Sequence, residues 1–362
     1  MKIAQIAPLY ESVPPRYYGG TERVVYHLTE ELVRMGHDVT LYASGDSLTS
    51  ARLVPLGSQA LRLDSSCIDQ IVHHVLMVER VYRAAEQYDI IHSHIDYFPF
   101  SMVRRVRTPV VTTLHGRLDL KDLVPLYMDF ADVPLVSISN AQRDPLPWVN
   151  WLDTVYHGIP AQSYQPYEQP GTYLAFLGRI SPEKRVDRAI EIAKRANLPL
   201  KIAAKVSIPD KEYFTSTIEP LMAHPLIEYR GEIAEKDKNE FLGNAAALIF
   251  PIDWPEPFGL VMIEALACGT PVIARAHGSV PEIIEHGVNG FIVQNEDEAV
   301  EAVKALPGIS RKKCREIFEE RFTARRMARD YVTVYRKLIS SSRHLKQPAS
   351  SGVHGRDYSD TR

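Results

Sequence analysis

The chain has 362 residues, 45% hydrophobic and 24% charged, with a formal net charge of −3, which describes a globular protein long enough for two domains and without the basic footprint of a nucleic-acid binder. Its three cysteines, Cys67, Cys268 and Cys314, have no metal-ligand spacing and point to a reducing compartment. No apolar run approaches the roughly 18 residues that span a bilayer and no signal-like segment precedes the first strand pattern, so the chain is read as cytoplasmic.

In chain order, short apolar runs predict strands over Ile3–Ala7, Val39–Tyr42, Ile90–His92, Val110–Leu114, Leu135–Ile138 and Val155–His157. The stripe Val24, Val25, Leu28, Leu32 and Met35 predicts a helix over Glu22–Met35, N-capped by Thr21 and closed by Gly36. Arg104, Arg105 and Arg107 form a local basic cluster, read as a solvated helix face in preference to a weak peripheral membrane contact. Pro, Gln, Tyr and Ser dominate Pro160–Gly171, the expected linker. The alternation then restarts, with strands expected over Tyr173–Leu177, Lys201–Ala204, Ile227–Tyr229, Ala247–Phe250, Val272–Ala274 and Phe291–Val293, and helices over Glu296–Leu306, Arg311–Glu320 and Thr323–Ile339. Strands alternating with helices predict an α/β protein of two parallel-sheet domains, with the ligand in the cleft between strand carboxyl ends. The expected divisions are 1–165, 166–322, a returning helix 323–340 and a disordered tail 341–362.

Glu256 and Glu264 stand in the run from Trp254 to Ile273 with seven residues between them. Pro255 and Pro257 keep the first in an extended loop, and Gly259–Cys268 reads as a helix closed by Gly269. The amides of Phe258, Gly259, Leu260 and Val261 then lack partners inside the helix and suit a phosphate. Glu264, within the apolar stretch Leu260–Ala267, needs a ligand or a partner. Two carboxylates around an anion site fit a ligand with a central diphosphate and hydroxyls at both ends, such as a nucleotide sugar.

Arg179 and Lys184, in Phe176–Val186, follow the first strand of the second half, where a guanidinium fork and an ammonium suit a diphosphate. No D-x-D pair is present to hold a divalent metal, so these cations are expected to neutralise a leaving diphosphate. Gly19-Gly20-Thr21 lets backbone approach a phosphate, but the fingerprint G-x-G-x-x-G is absent, against a nicotinamide-dependent dehydrogenase. His115 ends a strand and is placed to donate to a sugar hydroxyl. His92 and His94 share a strand face but lack a third ligand for zinc. Asp96 and Tyr97, just past that strand, and Tyr18, in the first loop, are candidates for touching an acceptor.

Together these residues resemble the retaining glycosyltransferases of family 4, whose GT-B fold sets two Rossmann-like domains face to face. The likeness runs through Gly19-Gly20, His115, Gly178-Arg179 with Lys184, Glu256-Pro-Phe-Gly with Glu264, Ala267–Val272, Gly278–Glu282 and Gly287–Phe291. The resemblance implies that Arg179 and Lys184 hold the donor diphosphate, Glu256 and the amides after it the sugar, and Glu264 the ribose. It places Gly20 beside the phosphates, His115 toward the donor sugar, and Gly231, Glu232 and Ile233 at the base. It also implies transfer with retained anomeric configuration and without metal or other cofactor; the donor is read as a UDP-sugar, with another base left open. The acceptor is left open among glycan, lipid-linked intermediate and small metabolite. One departure is Tyr156-His157-Gly158-Ile159, where many members carry Asn before Gly. Two other readings stand beside transfer: a nucleotide-sugar binding protein without activity, and a sugar-nucleotide epimerase or phosphorylase on the same architecture.

Overall fold

Seven parallel strands build the first sheet: β1 Lys2–Ile6, β2 Asp38–Ala43, β3 Arg52–Pro55, β4 Ile90–Ser93, β5 Val110–Thr113, β6 Leu135–Ser137 and β7 Trp151–Thr154, in the order β3-β2-β1-β4-β5-β6-β7. This computed structural model describes residues 1–16 and 19–344. β4 and β5 are buried at every position, as expected of parallel strands covered on both faces. A second parallel sheet follows: β8 Tyr173–Ile180, β9 Leu200–Val206, β10 Ile227–Gly231, β11 Ala245–Phe250, β12 Val272–Arg275 and β13 Gly290–Val293, in the order β10-β9-β8-β11-β12-β13. Strand order reverses between β1 and β4 and between β8 and β11, and crevices open beyond such switch points. The two Rossmann-like domains of the GT-B architecture are thus present.

The final helix, Ala324–His344, returns to the first domain. Its Met327, Tyr331 and Tyr335, each 0% exposed, pack with Ile3, Val24, Leu28 and Val111 under the first sheet. Burying each such side chain contributes about 1.5–3 kcal/mol, enough to hold the last helix on the opposite domain. Residues 341–344, expected in the tail, continue this helix; the rest of the expected tail, 345–362, lies outside the described residues.

Several boundaries differ from expectation for local reasons. The last strand of the first sheet is Trp151–Thr154, and residues 155–157 leave the sheet, carrying His157 toward the cleft. β3 was not anticipated, because a short half-exposed edge strand ending in Pro55 has weak patterning. The first helix is Gly20–Arg34 with Gly19 at its N-cap and no side-chain cap, so Thr21 does not cap it. Arg104 follows the short helix Phe100–Val103 and binds Asp132, so the basic cluster is a turn and not a helix face. The linker is pinned: Arg311 Nε donates to Tyr167 O (2.7 Å) and Arg315 guanidinium nitrogens to Tyr164 O (2.6 Å) and Ala161 O (3.0 Å).

Candidate active site

A cavity of about 530 Å³ lies between the sheets at their switch points, with walls from both domains. On the second-domain side, the loop after β11 delivers Glu256 and the helix Leu260–Ala267 delivers Glu264. The loop is braced from behind. Gly278 (φ +56°) packs so tightly that an added Cβ would stand 2.3 Å from Glu256 O, while Ser279 donates from N to Glu256 O (3.0 Å) and from Oγ to Phe258 O (2.8 Å). Arg179 lies within β8, which runs three residues further than expected, and Lys184 closes a single turn before the helix Val186–Ala196.

Lys184, Arg179 and Glu264 each already face an opposite charge. Lys184 Nζ is bonded to Glu256 Oε2, which also accepts from Trp254 Nε1 (3.0 Å), and the ammonium sits 5.0 Å from the Trp254 ring centroid. Arg179 is bonded to Glu183 and lies 3.6 Å from Asp210 Oδ2. Glu264, 3% exposed, accepts from Lys238 Nζ at 2.7 Å, and that ammonium also reaches Glu235 at 3.0 Å. Glu235 in turn binds Arg23 of the first domain and accepts from Tyr164 Oη (2.9 Å). The partner that Glu264 needs in its apolar helix is therefore Lys238.

The first-domain wall is organised by register. Pairing of β1 with β4 sets Gln5 beside His92, and β4 with β5 sets His92 beside Val111. Gln5 Oε1 accepts from His94 Nε2 (2.8 Å), so neutral His94 presents a bare Nδ1, to which His115 donates from Nε2 (2.9 Å). His115 Nδ1 is then left without a proton, and it is buried without a partner. The ring offers an acceptor, where the sequence suggested a donor. Gln5 Nε2 continues the chain to Tyr335 Oη (3.0 Å), Tyr335 to His92 Nδ1 (2.7 Å), His92 to Thr113 (2.7 Å) and Thr113 to Tyr331 (3.0 Å). Burial pushes His115 down to about 3 and His92, His94 and His157 well below the usual histidine range. Among the described residues no group of three His, Cys, Asp or Glu side chains is placed to hold a metal.

Of the residues singled out in the sequence, Gly19, Gly20, Asp96, His115, Arg179, Lys184, Glu232, Ile233, Glu256, Pro257, Phe258, Gly259, Leu260, Val261 and Glu264 line the cavity. A Cβ on Gly20 would meet Leu260 Cδ1 at 3.7 Å, so the first loop faces the Leu260–Ala267 helix across the cleft. Gly231 (φ +67°) ends β10 and only its successors reach the wall. Tyr97 is 42% exposed, stacks on the cavity-lining Phe98 and does not itself line the cavity. Tyr18 lies outside the described residues. Sequence reading missed Tyr10, Glu22, Arg62, His157 and Lys238. His157 stacks on His115 (centroids 5.2 Å apart, 18° between planes) and meets Phe258 edge-on; its departure from the resemblance was the available signal.

Two family models cover most of the chain. "Glycosyltransferase Family 4" matches residues 18–160 and "Glycosyl transferases group 1" matches 165–321. The chain belongs to glycosyltransferase family 4. It is a hexosyl-type glycosyltransferase that uses a nucleotide-sugar donor. Curated relatives of this family 4 chain include N-acetyl-alpha-D-glucosaminyl L-malate synthase of Bacillus anthracis, 24% identical over 91% of this chain and 96% of the relative. D-inositol 3-phosphate glycosyltransferase of Mycolicibacterium smegmatis is 26% identical over 77% of this chain and 76% of the relative. Among solved structures, Anabaena Alr3699/HepE in complex with UDP and glucose superposes with a TM-score of 0.73, at 17% identity, over 93% of this chain and 100% of the other. No helix among the described residues is long and apolar enough to cross a membrane.

Proposed function

We propose that this family 4 enzyme transfers a hexosyl group from a UDP-sugar to an acceptor hydroxyl with retained anomeric configuration and without a metal. The observation that carries the reading is the convergence of Arg179, Lys184 and the N-terminus of the Leu260–Ala267 helix on one cavity with Glu256 and Glu264. Arg179 and Lys184 take the diphosphate, Glu264 the ribose hydroxyls, and Glu256 with the amides after it the sugar. Uridine as the base draws support from the UDP bound by the structurally similar HepE. Metal independence draws support from the two cations at hand.

In this mechanism the bond from the anomeric carbon to the phosphate oxygen breaks, and its electron pair leaves with UDP. The acceptor oxygen bonds to the same face of the sugar, and its proton passes to the departing phosphate oxygen. Arg179, Lys184 and the helix amides stabilise charge that grows as the bond breaks, and losing one such preorganised donor typically costs about 3–4 kcal/mol. Neutral His115, with its bare Nδ1, accepts a hydrogen bond from a donor-sugar hydroxyl.

The test is turnover of UDP-sugars with a panel of acceptors in excess EDTA, with UDP release and the anomeric proton coupling of the product measured together. Retained coupling and full activity in EDTA are expected. An inverted product, or loss of turnover that added metal restores, overturns the corresponding part.

A further inference from the structure

The helix Gln70–Arg83 of the first domain carries two apolar stripes, where a surface helix needs one. Met77, Val78, Val81 and Tyr82 form the inward stripe and pack with Ala4, Ile6, Tyr42 and Ile91, on the sheet face opposite the one that receives the final helix. Ile68, Ile71, Val72, Val75 and Leu76 form the second, at the i, i+3, i+4, i+7 and i+8 spacing of a helix face. That stripe points to solvent: Ile68 is 101% exposed and the other four are 49% to 57% exposed. They make up five of the fifteen large hydrophobic side chains exposed among the described residues, gathered within nine positions. Scattered exposed apolar residues need no explanation, whereas a contiguous patch marks a surface that something covers.

The charges around the stripe differ at its two ends. Asp64 and Asp69 stand at the entry, where Asp64 Oδ1 accepts from Ser66 N (2.9 Å) and Asp69 Oδ1 caps Ile71 N (2.8 Å). Arg80 and Arg83 stand in the last turn. Glu79 faces Arg83 at 3.7 Å, and Glu86 lies further out in the turn Ala85–Gln87, so Arg80 is the cation next to the apolar residues at this end. Two carboxylates beside Ile68 and a guanidinium one turn past Leu76 make the face complementary to itself when a second helix runs the opposite way. The helix dipoles of such a pair also oppose each other favourably.

We propose that this face binds a second copy of the chain, the two Gln70–Arg83 helices packing antiparallel about a two-fold axis at Val72. An isologous contact uses one patch twice: Ile68 of each copy meets Leu76 of the other, Val72 meets its own counterpart, and Arg80 approaches the Asp64 and Asp69 end. An anionic lipid surface fits the same face less well, because Ile68, the most exposed apolar residue, would enter it together with two carboxylates, whereas helices that lie on such surfaces are rimmed by cations. None of the five stripe residues lines the cleft cavity, so the pairing joins first domains and leaves each donor site to its own chain.

The experiment follows the mass of the full-length protein by sedimentation over roughly 1 to 100 μM. The expected result is a mass that rises with concentration toward twice the 40.9 kDa of one chain. Val72→Glu and Leu76→Glu are each expected to raise the dimer dissociation constant by about thirtyfold or more, with far-UV circular dichroism unchanged. Arg80→Glu is expected to weaken the dimer, and Asp64→Lys added to the same chain to restore it, a recovery that apolar contact alone does not give. Val72→Cys in a Cys67→Ser background tests the register without an added charge: oxidation with copper phenanthroline is expected to link it to its own counterpart, while Cys67→Ser alone stays unlinked. A monomer throughout the range, or a dimer indifferent to Val72→Glu and Leu76→Glu, overturns the proposal. So does a monomeric protein that binds phosphatidylglycerol vesicles through the stripe, which assigns the face to lipid instead.

Discussion

Lys184 and Glu256 lie 72 residues apart in sequence and share a bond in the cleft. Because Glu256 keeps Trp254 Nε1 as a second donor, removing the ammonium does not strand the carboxylate completely. Lys184→Ala is therefore expected to lower kcat by roughly two orders of magnitude with a smaller change in donor affinity, measured at saturating donor and acceptor. Near-normal kcat would reduce Lys184 to a structural cation. Glu22 supports a second prediction. Burial raises it from 4.5 to about 7, beside Glu11 and Arg62, so the folded protein binds this proton more tightly than the unfolded chain. Stability then falls as pH rises from about 4.5 to about 7 and is level above. Glu22→Gln removes that loss. Its advantage in chemical denaturation is expected to be absent below pH 4.5 and to reach roughly 1–3 kcal/mol above pH 7; a pH-independent difference would contradict the burial.

The final helix does more than cover the first sheet. Its Tyr335 joins Gln5, and Gln5 sets the proton on His94, which sets the proton on His115. Gln5→Leu is expected to release His115 from a single tautomer, seen as a change in its imidazole nitrogen shifts by NMR, with the fold retained. Unchanged shifts would show that His94 needs no such partner. The strand and helix pattern was legible in the sequence because each element carries its own periodicity, and Glu256, Glu264, Arg179 and Lys184 were legible because local turn residues frame them. The relay was not. Gln5 and Tyr335 are 330 residues apart, and a glutamine in a buried strand looks like an isolated exception until register sets it beside His92. Lys238 was invisible for a similar reason: in a charged helix nothing local distinguishes the one lysine that reaches Glu264. His157 was misplaced in a strand because its apolar neighbours continue the alternation while the chain leaves the sheet.

Contacts across the two domains hold the whole molecule in its present arrangement. Glu282, from the second domain, accepts from Asn140 N (2.7 Å), Ala141 N (2.8 Å) and Tyr156 Oη (2.9 Å) of the first. Glu282→Ala leaves those donors to water and is expected to separate the unfolding of the two halves in calorimetry, at a cost of about 1–3 kcal/mol. A single unshifted transition would mean that the returning helix alone couples them. The ion pairs of the second-domain wall have a kinetic consequence. With Lys184, Lys238 and Arg179 each already facing a carboxylate, this wall of the cleft projects little net field into solvent. Long-range attraction, which depends on uncancelled charge and fades with ionic strength, then adds little to donor capture. Stopped-flow association of UDP is expected to change less than about threefold between roughly 0.02 and 0.2 M salt. If the proposed diphosphate assignment holds, donor affinity is expected to lie in a slow dissociation rate, which the same stopped-flow experiment reads.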